Sequence, residues 1–295
     1  MKAAVTKAVI PAAGFGTRML PFTKAVPKEL IPLVDKPVLQ YVVEEAVASG
    51  IEDILIVISA GKEAIIRHFN PTPDLELRLE ESGRHEMLAE IRAISKLARI
   101  HYVYQQELRG LGDAVRLAEN FSGGDPVAIL LGDTVLDPAA DRPVTGQLID
   151  AYARCGGSVI ALDEVPPEKV SRYGIADAEP AADGLLKLRD LVEKPSPEQA
   201  PSRLAVTARY LFTPGIFAAL RAVAPGLNGE VQLTDAVRLL LRREPVWGCR
   251  ISGRRFDLGS KAGFIAANVE FAMRRPELQE TLGKQLKHLL FPETN

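Results

Sequence analysis

Residues 10–33 read IPAAGFGTRMLPFTKAVPKELIPL. Just before and into them, the apolar run Lys7–Pro11 has the make-up of a buried strand. It stops at Ala12-Ala13-Gly14-Phe15-Gly16-Thr17-Arg18. Glycines at a strand end permit backbone torsions closed to other residues and let N–H groups approach an anion. Two familiar phosphate loops do not fit. A dinucleotide fingerprint needs a third glycine where Met19 stands, and a Walker loop needs a Gly-Lys-Ser/Thr that the sequence does not supply. Arg18, Lys24 and Lys28 follow the glycines. Pro21, Pro27 and Pro32 bar one long helix and predict a stiffened, extended path. A Gly-x-Gly pair alone is as much a plain turn as a ligand loop; stiffened cations beside it suit a polyphosphate. Lys24 and Lys36 read equally well as solvated surface.

Outward from this loop, β-branched runs alternate with amphipathic stretches. Helices are expected at Pro37–Ser49, Lys62–Phe69 and Leu111–Phe121, and strands at Ile51–Ser59, Ile100–Gln105 and Pro126–Leu131. With Lys7–Pro11 this is βαβαβαβ, the pattern of an α/β fold with a parallel sheet and helices on both faces. Ligands of such sheets lie beyond the carboxyl ends of the strands. Leu75–Arg99 is polar, helical and long enough to be an insertion beside the sheet. The second half is more mixed. Strands are expected at Ser158–Leu162, Leu185–Val192, Ala205–Phe212 and Val246–Ile251, some of them antiparallel. Helices are expected at Gly146–Arg154, Leu233–Arg242, Ala262–Arg274 and Glu277–Leu290. No low-complexity linker or internal repeat interrupts the chain. Residues 1–295 are therefore read as one elaborated domain, with 260–295 a C-terminal helical segment carrying apolar faces (Phe264, Ile265, Val269, Phe271).

Composition narrows the function. The 295 residues carry 36 Lys plus Arg against 38 Asp plus Glu, a formal net charge of −2, with 47% apolar and 25% charged residues. That balance is ordinary for a soluble globular protein and gives no bulk reason to bind nucleic acid or an anionic membrane. No apolar run approaches a membrane span. The amino-terminal stretch lacks the apolar region and cleavage site of a secretory signal, and a cytoplasmic protein is expected. Cys155 and Cys249 are too few for a disulfide framework, and four histidines make no metal-ligand spacing. Any metal should be a hard ion held by carboxylates.

The segment from Gly14 to Leu33, continued by Val34-Asp-Lys-Pro-Val-Leu-Gln-Tyr41, resembles the opening of the sugar-1-phosphate nucleotidyltransferases, and within them the bacterial uridylyltransferase branch. The likeness runs along nearly the whole chain. Gln105 with Gly110-Leu-Gly112-Asp-Ala resembles the base-reading Gln and its Gly-Leu-Gly-His-Ala turn. Leu131-Gly-Asp133 resembles a metal-binding Asp at a strand end. Tyr173-Gly174 resembles a sugar-contacting pair, and Glu193-Lys194-Pro195 the motif that holds the sugar phosphate. Gly229-Glu-Val-Gln-Leu-Thr-Asp-Ala236 and Phe256-Asp-Leu-Gly-Ser-Lys261 are similar to two further runs of that branch.

The resemblance implies a Rossmann-like, mixed but mainly parallel sheet flanked by helices. It implies the reaction of UTP with glucose 1-phosphate to give UDP-glucose and pyrophosphate, by in-line attack on the α-phosphorus. Positioning and electrostatics suffice for such a transfer. Arg18, Lys28 and Lys194 are implied as catalytic cations: Arg18 on the leaving pyrophosphate, Lys28 nearer the α-phosphate, Lys194 on the sugar phosphate. Ala12, Ala13, Gly14, Gly16, Thr17, Gln105, Gly110, Gly112 and Asp133 are implied for the nucleotide. Tyr173, Gly174, Glu193, Lys194 and Ala208 are implied for the sugar phosphate, with Val206 and Thr207 as further candidates for the sugar hydroxyls. Asp133 and Asp257 would share one Mg²⁺. Each has a plainer alternative: turn carboxylates for Asp133 and Asp257, a surface amide for Gln105, a surface ion pair with Glu193 for Lys194.

Several positions depart from the family pattern. Asp113 stands in place of His, Gly132 of Pro, Leu258 of Cys and Ala208 of Gly, and Arg109 is an unassigned cation. None removes a proposed phosphate or metal ligand, so they bear on selectivity more than on reaction type. A thymidylyltransferase or another sugar-specific relative is the nearest alternative, because a single methyl separates thymine from uracil. A non-catalytic paralogue and an NAD(P)-binding oxidoreductase are the others; Met19 and the proline-rich continuation argue against the last. The family further implies a homodimer or homotetramer, with the C-terminal helices as a plausible interface.

Overall fold

The computed structural model describes residues 3–226, 229–256 and 258–290. Nine strands form one sheet. In chain order they are β1 (Lys7–Pro11), β2 (Asp53–Ile58), β3 (Arg99–Tyr104), β4 (Val127–Leu130), β5 (Ser158–Glu164), β6 (Gly174–Pro180), β7 (Leu186–Glu193), β8 (Leu204–Phe212) and β9 (Val246–Arg250). Across the sheet they run β3-β2-β1-β4-β8-β5-β9-β7-β6. The first four are parallel to one another. Beyond them, β8 is antiparallel to both β4 and β5, and β7 to both β9 and β6, while β9 runs parallel to β5. The expected mixed sheet is present, but the mainly parallel character belongs to the amino-terminal half. There, βαβ crossovers keep strands aligned; in the second half the β6–β7 hairpin and the long return of β8 into the sheet reverse them.

Alternation within the strands builds two cores. Ala8 and Ile10, with Ile54, Ile56 and Ile58, pack under α1 (Val38–Ala48), α2 (Glu63–Phe69) and α7 (Val144–Cys155). Val9, Leu55 and Val57 turn the other way, toward α5 (Leu111–Arg116), α8 (Gly215–Ala222) and α9 (Leu233–Leu241). Each fully buried Ile or Val contributes about 1.5–3 kcal/mol, which is why the central strands are apolar on both faces. Helix α1 shows the sequence logic. Val38, Leu39, Val42, Val43 and Ala46 fall on one buried side, and the helix runs out at Ser49-Gly50, where Gly50 takes φ 92°.

The expected insertion is built of two helices, and one expected helix is broken. The Leu75–Arg99 insertion is a hairpin of α3 (Pro73–Glu81) and α4 (His85–Ile94), turned at Gly83 with φ 70°. Leu111–Phe121 divides into α5 and α6 (Glu119–Ser122), because the Ala118 amide bonds to the Val115 carbonyl in a tighter i→i+3 turn. A third apolar cluster joins Leu33, Val38, Val135, Phe256, Leu258 and Ala267, with Tyr41 and Phe271 packed on it. It seats the short ribbon of Val135–Pro138 with Gly253–Phe256, and α10 (Lys261–Met273), against the amino-terminal part. The α10 side chain Asn268 accepts from the Val34 amide at 2.8 Å, fixing a turn in which Val34 has φ 63°. α11 (Pro276–Leu290) buries no residue, and Ile265, Leu289 and Leu290 are exposed.

Candidate active site

The glycine loop leaves β1 at the carboxyl edge of the parallel strands. Its path differs from expectation. Three 3₁₀ turns, Thr17–Met19, Phe22–Lys24 and Lys28–Leu30, replace an extended segment. The prolines cause this: the carbonyls of Pro21 and Pro27 accept from the amides of Lys24 and Leu30, closing tight turns that a proline can start but not continue. Gly16 has φ 68°, and a Cβ there would stand 2.9 Å from Lys28 Cβ, so the position demands glycine twice over. Gly14 is under no such demand; a Cβ there would make ordinary contact with Lys28.

Lys28 is thereby pressed against the loop. Its Nζ donates to Asp133 Oδ2 at 2.6 Å, and Asp133 lies just past the end of β4. Burial pulls the Lys28 pKa down, but Asp133 and Glu29 more than offset that and leave it raised. Burial pushes the Asp133 carboxyl up, and the charges of Lys28 and Arg18 hold it below the usual range. Gly16, Thr17, Arg18, Lys28, Asp133, Leu258 and Gly259 line one cleft. Arg18 lies on Gly259: a Cβ on that glycine would come 2.9 Å from Arg18 Nη2. The expected second metal carboxylate, Asp257, lies outside the described residues, but its neighbours Leu258 and Gly259 are on this wall.

Sequence reasoning missed what lies beneath. Glu29 is fully buried and receives Lys62 Nζ at 3.0 and 2.8 Å on its two oxygens; the same ammonium donates to the Ala12 carbonyl. Burial outweighs the pairing for both partners, raising the Glu29 pKa and lowering that of Lys62. Nothing in the local sequence announces this pair. A second pair did leave a signal, a charge inside an apolar run. Arg209, in the middle of β8, is buried with Glu45 of α1, its Nη2 2.6 Å from Oε2, and it also donates to the carbonyls of Thr134 and Ala208. Thr145 completes the Glu45 shell from α7. This pair fastens the Asp133-Thr134 turn to Ala208, whose φ of 62° shows why glycine is the usual residue there.

Gln105 is not a surface amide. It is 5% exposed, one residue past the end of β3, and its own amide continues the ladder to the Ile58 carbonyl. The strand register brings it level with Ser59 and Ala13, which are joined by a 2.8 Å bond from Ser59 Oγ to the Ala13 carbonyl. The Gly110-Leu-Gly112 turn is backed by the Gly229–Ala236 run: the Gly112 amide donates to the Val231 carbonyl, and the Val231 amide to the Arg109 carbonyl. A Cβ at Gly112 would sit 2.7 Å from the Val231 oxygen. The two motifs are thus halves of one element. Arg109 is paired with Glu107.

The sugar-phosphate candidates cluster across β6 and β7. Gly174 pairs with Glu193 in the ladder, and Glu193 accepts from Thr234 Oγ1 at 2.7 Å. Lys194 has φ 45°, its amide bonds to the Tyr173 carbonyl, and its side chain is 61% exposed, 3.1 Å from Glu193. The surface ion pair weighed for Lys194 is present. Yet a lysine held in the left-handed region is strained, and such strain gathers at binding sites. Arg255, not expected from sequence, lies 3.9 Å over the Tyr173 ring, tying this cluster to the ribbon that leads to Leu258. Ala208 and Val206 line the adjoining part of β8, where the pairing with β5 shifts register.

Known proteins resemble this chain over nearly its whole length. The family profile described as nucleotidyl transferase matches residues 7–273. A UTP–glucose-1-phosphate uridylyltransferase of Bacillus subtilis is 47% identical over 289 residues, covering 98% of each chain. A UTP-bound UGPase from Acinetobacter baumannii superimposes with a TM-score of 0.89 at 34% identity, over 98% of this chain and 100% of that one. A UDP-glucose pyrophosphorylase complexed with UDP-glucose gives 0.84 at 37% identity, over 92% of this chain and all of the other.

Proposed function

The chain belongs to the nucleotidyl transferase family, and from that premise we propose that it transfers UMP from UTP to glucose 1-phosphate, giving UDP-glucose and pyrophosphate. What carries the proposal is the full-length likeness to relatives named for that reaction, on a chain whose one strand edge holds Arg18, Lys28 and Asp133 around a glycine loop. An oxygen of the sugar phosphate forms a bond to the α-phosphorus as the bond to the bridging β-phosphate oxygen breaks. Charge grows on the departing pyrophosphate.

The protein's own groups account for most of this chemistry. Arg18, lying on Gly259 at the cleft, is the cation for the leaving pyrophosphate; its planar fork suits phosphate oxygens. Lys28, held to the loop by Gly16, serves the α-phosphate. Backbone amides from Ala13 to Thr17 approach the phosphates, while that of Ala12 stays bonded to the Val57 carbonyl, and Gln105, Gly110 and Gly112 frame the base. Lys194 holds the sugar phosphate for attack, with Tyr173, Gly174, Glu193 and Ala208 about the sugar. An ionised carboxylate beside a polyphosphate site is the donor set that Mg²⁺ accepts, since this ion takes one or two carboxylates and completes its shell with substrate oxygens and water. Asp133 would hold it, together with Asp257. Bound there, the ion would neutralise charge shared between the phosphates.

Residues 1–295 are read as one catalytic unit, supported by the packing of α10 on the cluster around Leu33 and Val38. Among the described residues no helix is long and apolar enough to cross a membrane, which is compatible with a cytoplasmic enzyme. The exposed apolar residues of α10 and α11 support a homodimer or homotetramer. Pyrophosphate release from a panel of nucleoside triphosphates with glucose 1-phosphate and Mg²⁺ tests the function. UTP should be turned over fastest; faster turnover of dTTP, or binding of UTP without release, would overturn it.

A further inference from the structure

We propose that Asp113 is a positioning residue that locks the Gln105 amide so that only its oxygen faces the nucleotide base. The proposal deepens the uridylyl reading and rests on it for the location of the base. Gln105 Nε2 sits 2.9 Å from Asp113 Oδ2 and 3.2 Å from the Gly110 carbonyl. A carbonyl oxygen can only accept. The Asp113 carboxylate can only accept as well, because its other oxygen is engaged by Arg116 Nη2 at 2.5 Å, an ion pair on α5. Both hydrogens of the Gln105 amide are therefore directed into the protein, and the opposite orientation would set oxygen against oxygen twice. Gln105 and Asp113 are both 5% exposed, so water cannot relieve such a clash cheaply. The remaining atom, Oε1, has no partner among the described residues and is not among the buried unpartnered atoms, so it is the part of the amide that reaches solvent.

A fixed acceptor chooses bases by their hydrogen-bonding edge. The imide N3–H of uracil or thymine can donate to it. Cytosine offers an unprotonated N3 in the same place, and two acceptors would face each other. The lock thus selects imide pyrimidines against cytosine and is blind to the thymine methyl. It also assigns a task to the residue that stands here in place of the family's histidine. The tether is short: Asp113 and Gln105 are joined by the same Gly110-Leu-Gly112 turn whose back is fixed by Val231.

The test is Asp113→Asn. An asparagine amide can donate to Gln105 Oε1, which permits the Gln105 amide to turn and present its hydrogens to the base. Affinities of UTP and CTP are read by titration calorimetry, which requires no turnover, and kcat/KM is read for both nucleotides. The wild type should prefer UTP, and the variant's UTP-to-CTP ratio should fall by about tenfold or more, through weaker UTP and stronger CTP binding. A ratio within twofold of the wild type in a folded variant overturns the lock, as does a wild type that binds CTP as well as UTP. Should Asp113→Asn not fold, Asp113→Ser removes the carboxylate, leaves only the Gly110 carbonyl to orient the amide and is read in the same way. A wild type that binds UTP selectively but releases no pyrophosphate would instead overturn the transfer reaction and leave the lock standing.

Discussion

Replacing Lys62 with methionine isolates the buried charge beneath the nucleotide loop. In the native protein all three ammonium hydrogens are used, two on the Glu29 carboxylate and one on the Ala12 carbonyl. Glu29 has no exposure to water, so Lys62→Met leaves a buried carboxylate without its hydrogen-bonded counter-charge. Breaking a buried pair from one side costs about 3–5 kcal/mol. Removing both charges should cost far less. In Glu29→Leu/Lys62→Met the stranded charge is gone, and the main loss is the donor to the Ala12 oxygen, about 1–3 kcal/mol. Burial already works against both ionised groups, since it raises the Glu29 pKa and lowers that of Lys62. Equilibrium unfolding in guanidinium chloride measures the cycle. The single variant should lose about 3–5 kcal/mol and the double variant should recover a substantial part of it. A single variant within about 1 kcal/mol of wild type, or a double variant equal to the sum of its parts, would refute the account.

Other outcomes follow from the same geometry. Asp133→Asn should cut turnover by about 100-fold or more and raise the Mg²⁺ needed for half activity; wild-type activity at low Mg²⁺ would remove Asp133 from the metal site. Lys194→Ala should raise KM for glucose 1-phosphate by about tenfold, one lost charged hydrogen bond, with little change for UTP; steady-state kinetics decide, and equal changes in both would count against the assignment. Ala208→Gly should stabilise by about 0.5–1 kcal/mol, the left-handed penalty of alanine less the extra chain entropy of glycine, as long as the Arg209 contact to its carbonyl survives. A lowered melting temperature would contradict that. The Asp53 carboxyl, hydrogen-bonded by Arg99, has its pKa lowered to about 2. Being depressed, it contributes fully above the ordinary carboxylate range of about 4, and its contribution is lost as pH falls toward 2. Carboxyl-resolved NMR titration checks the midpoint.

Most strands were legible because the parallel half is written in β-branched runs whose ends coincide with glycine or polar residues. Lys7–Pro11 was read to the residue. β6, Gly174–Pro180, was hidden because its alternation is short and its outward residues are acidic. The residues lining the cleft are legible from the order of rare types around Gly14–Lys28. Their supports are not. Glu29 and Lys62 are 33 positions apart, Glu45 and Arg209 are 164 apart, and no local period links such partners. The path of the loop is not legible for a different reason. Proline excludes a long helix but leaves open both an extended chain and a tight turn, and hydrogen bonds from downstream amides decide between them.

The position of β8 in the sheet has a bearing on how the chain is made. β8 ends at Phe212, yet it lies between β4 and β5. During synthesis the parallel half is complete once Leu130 has emerged, but its inner border, Val127–Leu130, has no neighbour until some eighty residues later. At about 5–20 residues per second that is an interval of roughly 4–16 s. All four residues of that border are buried in the finished protein, so for that interval the ribosome displays a bare, apolar strand edge of the kind that recruits other chains. A product ended before Leu204 should therefore collect in the insoluble fraction, and a soluble one would disprove the point. Premature termination and stalled translation thus become hazards to the yield of this protein that the stability of its finished form does not remove.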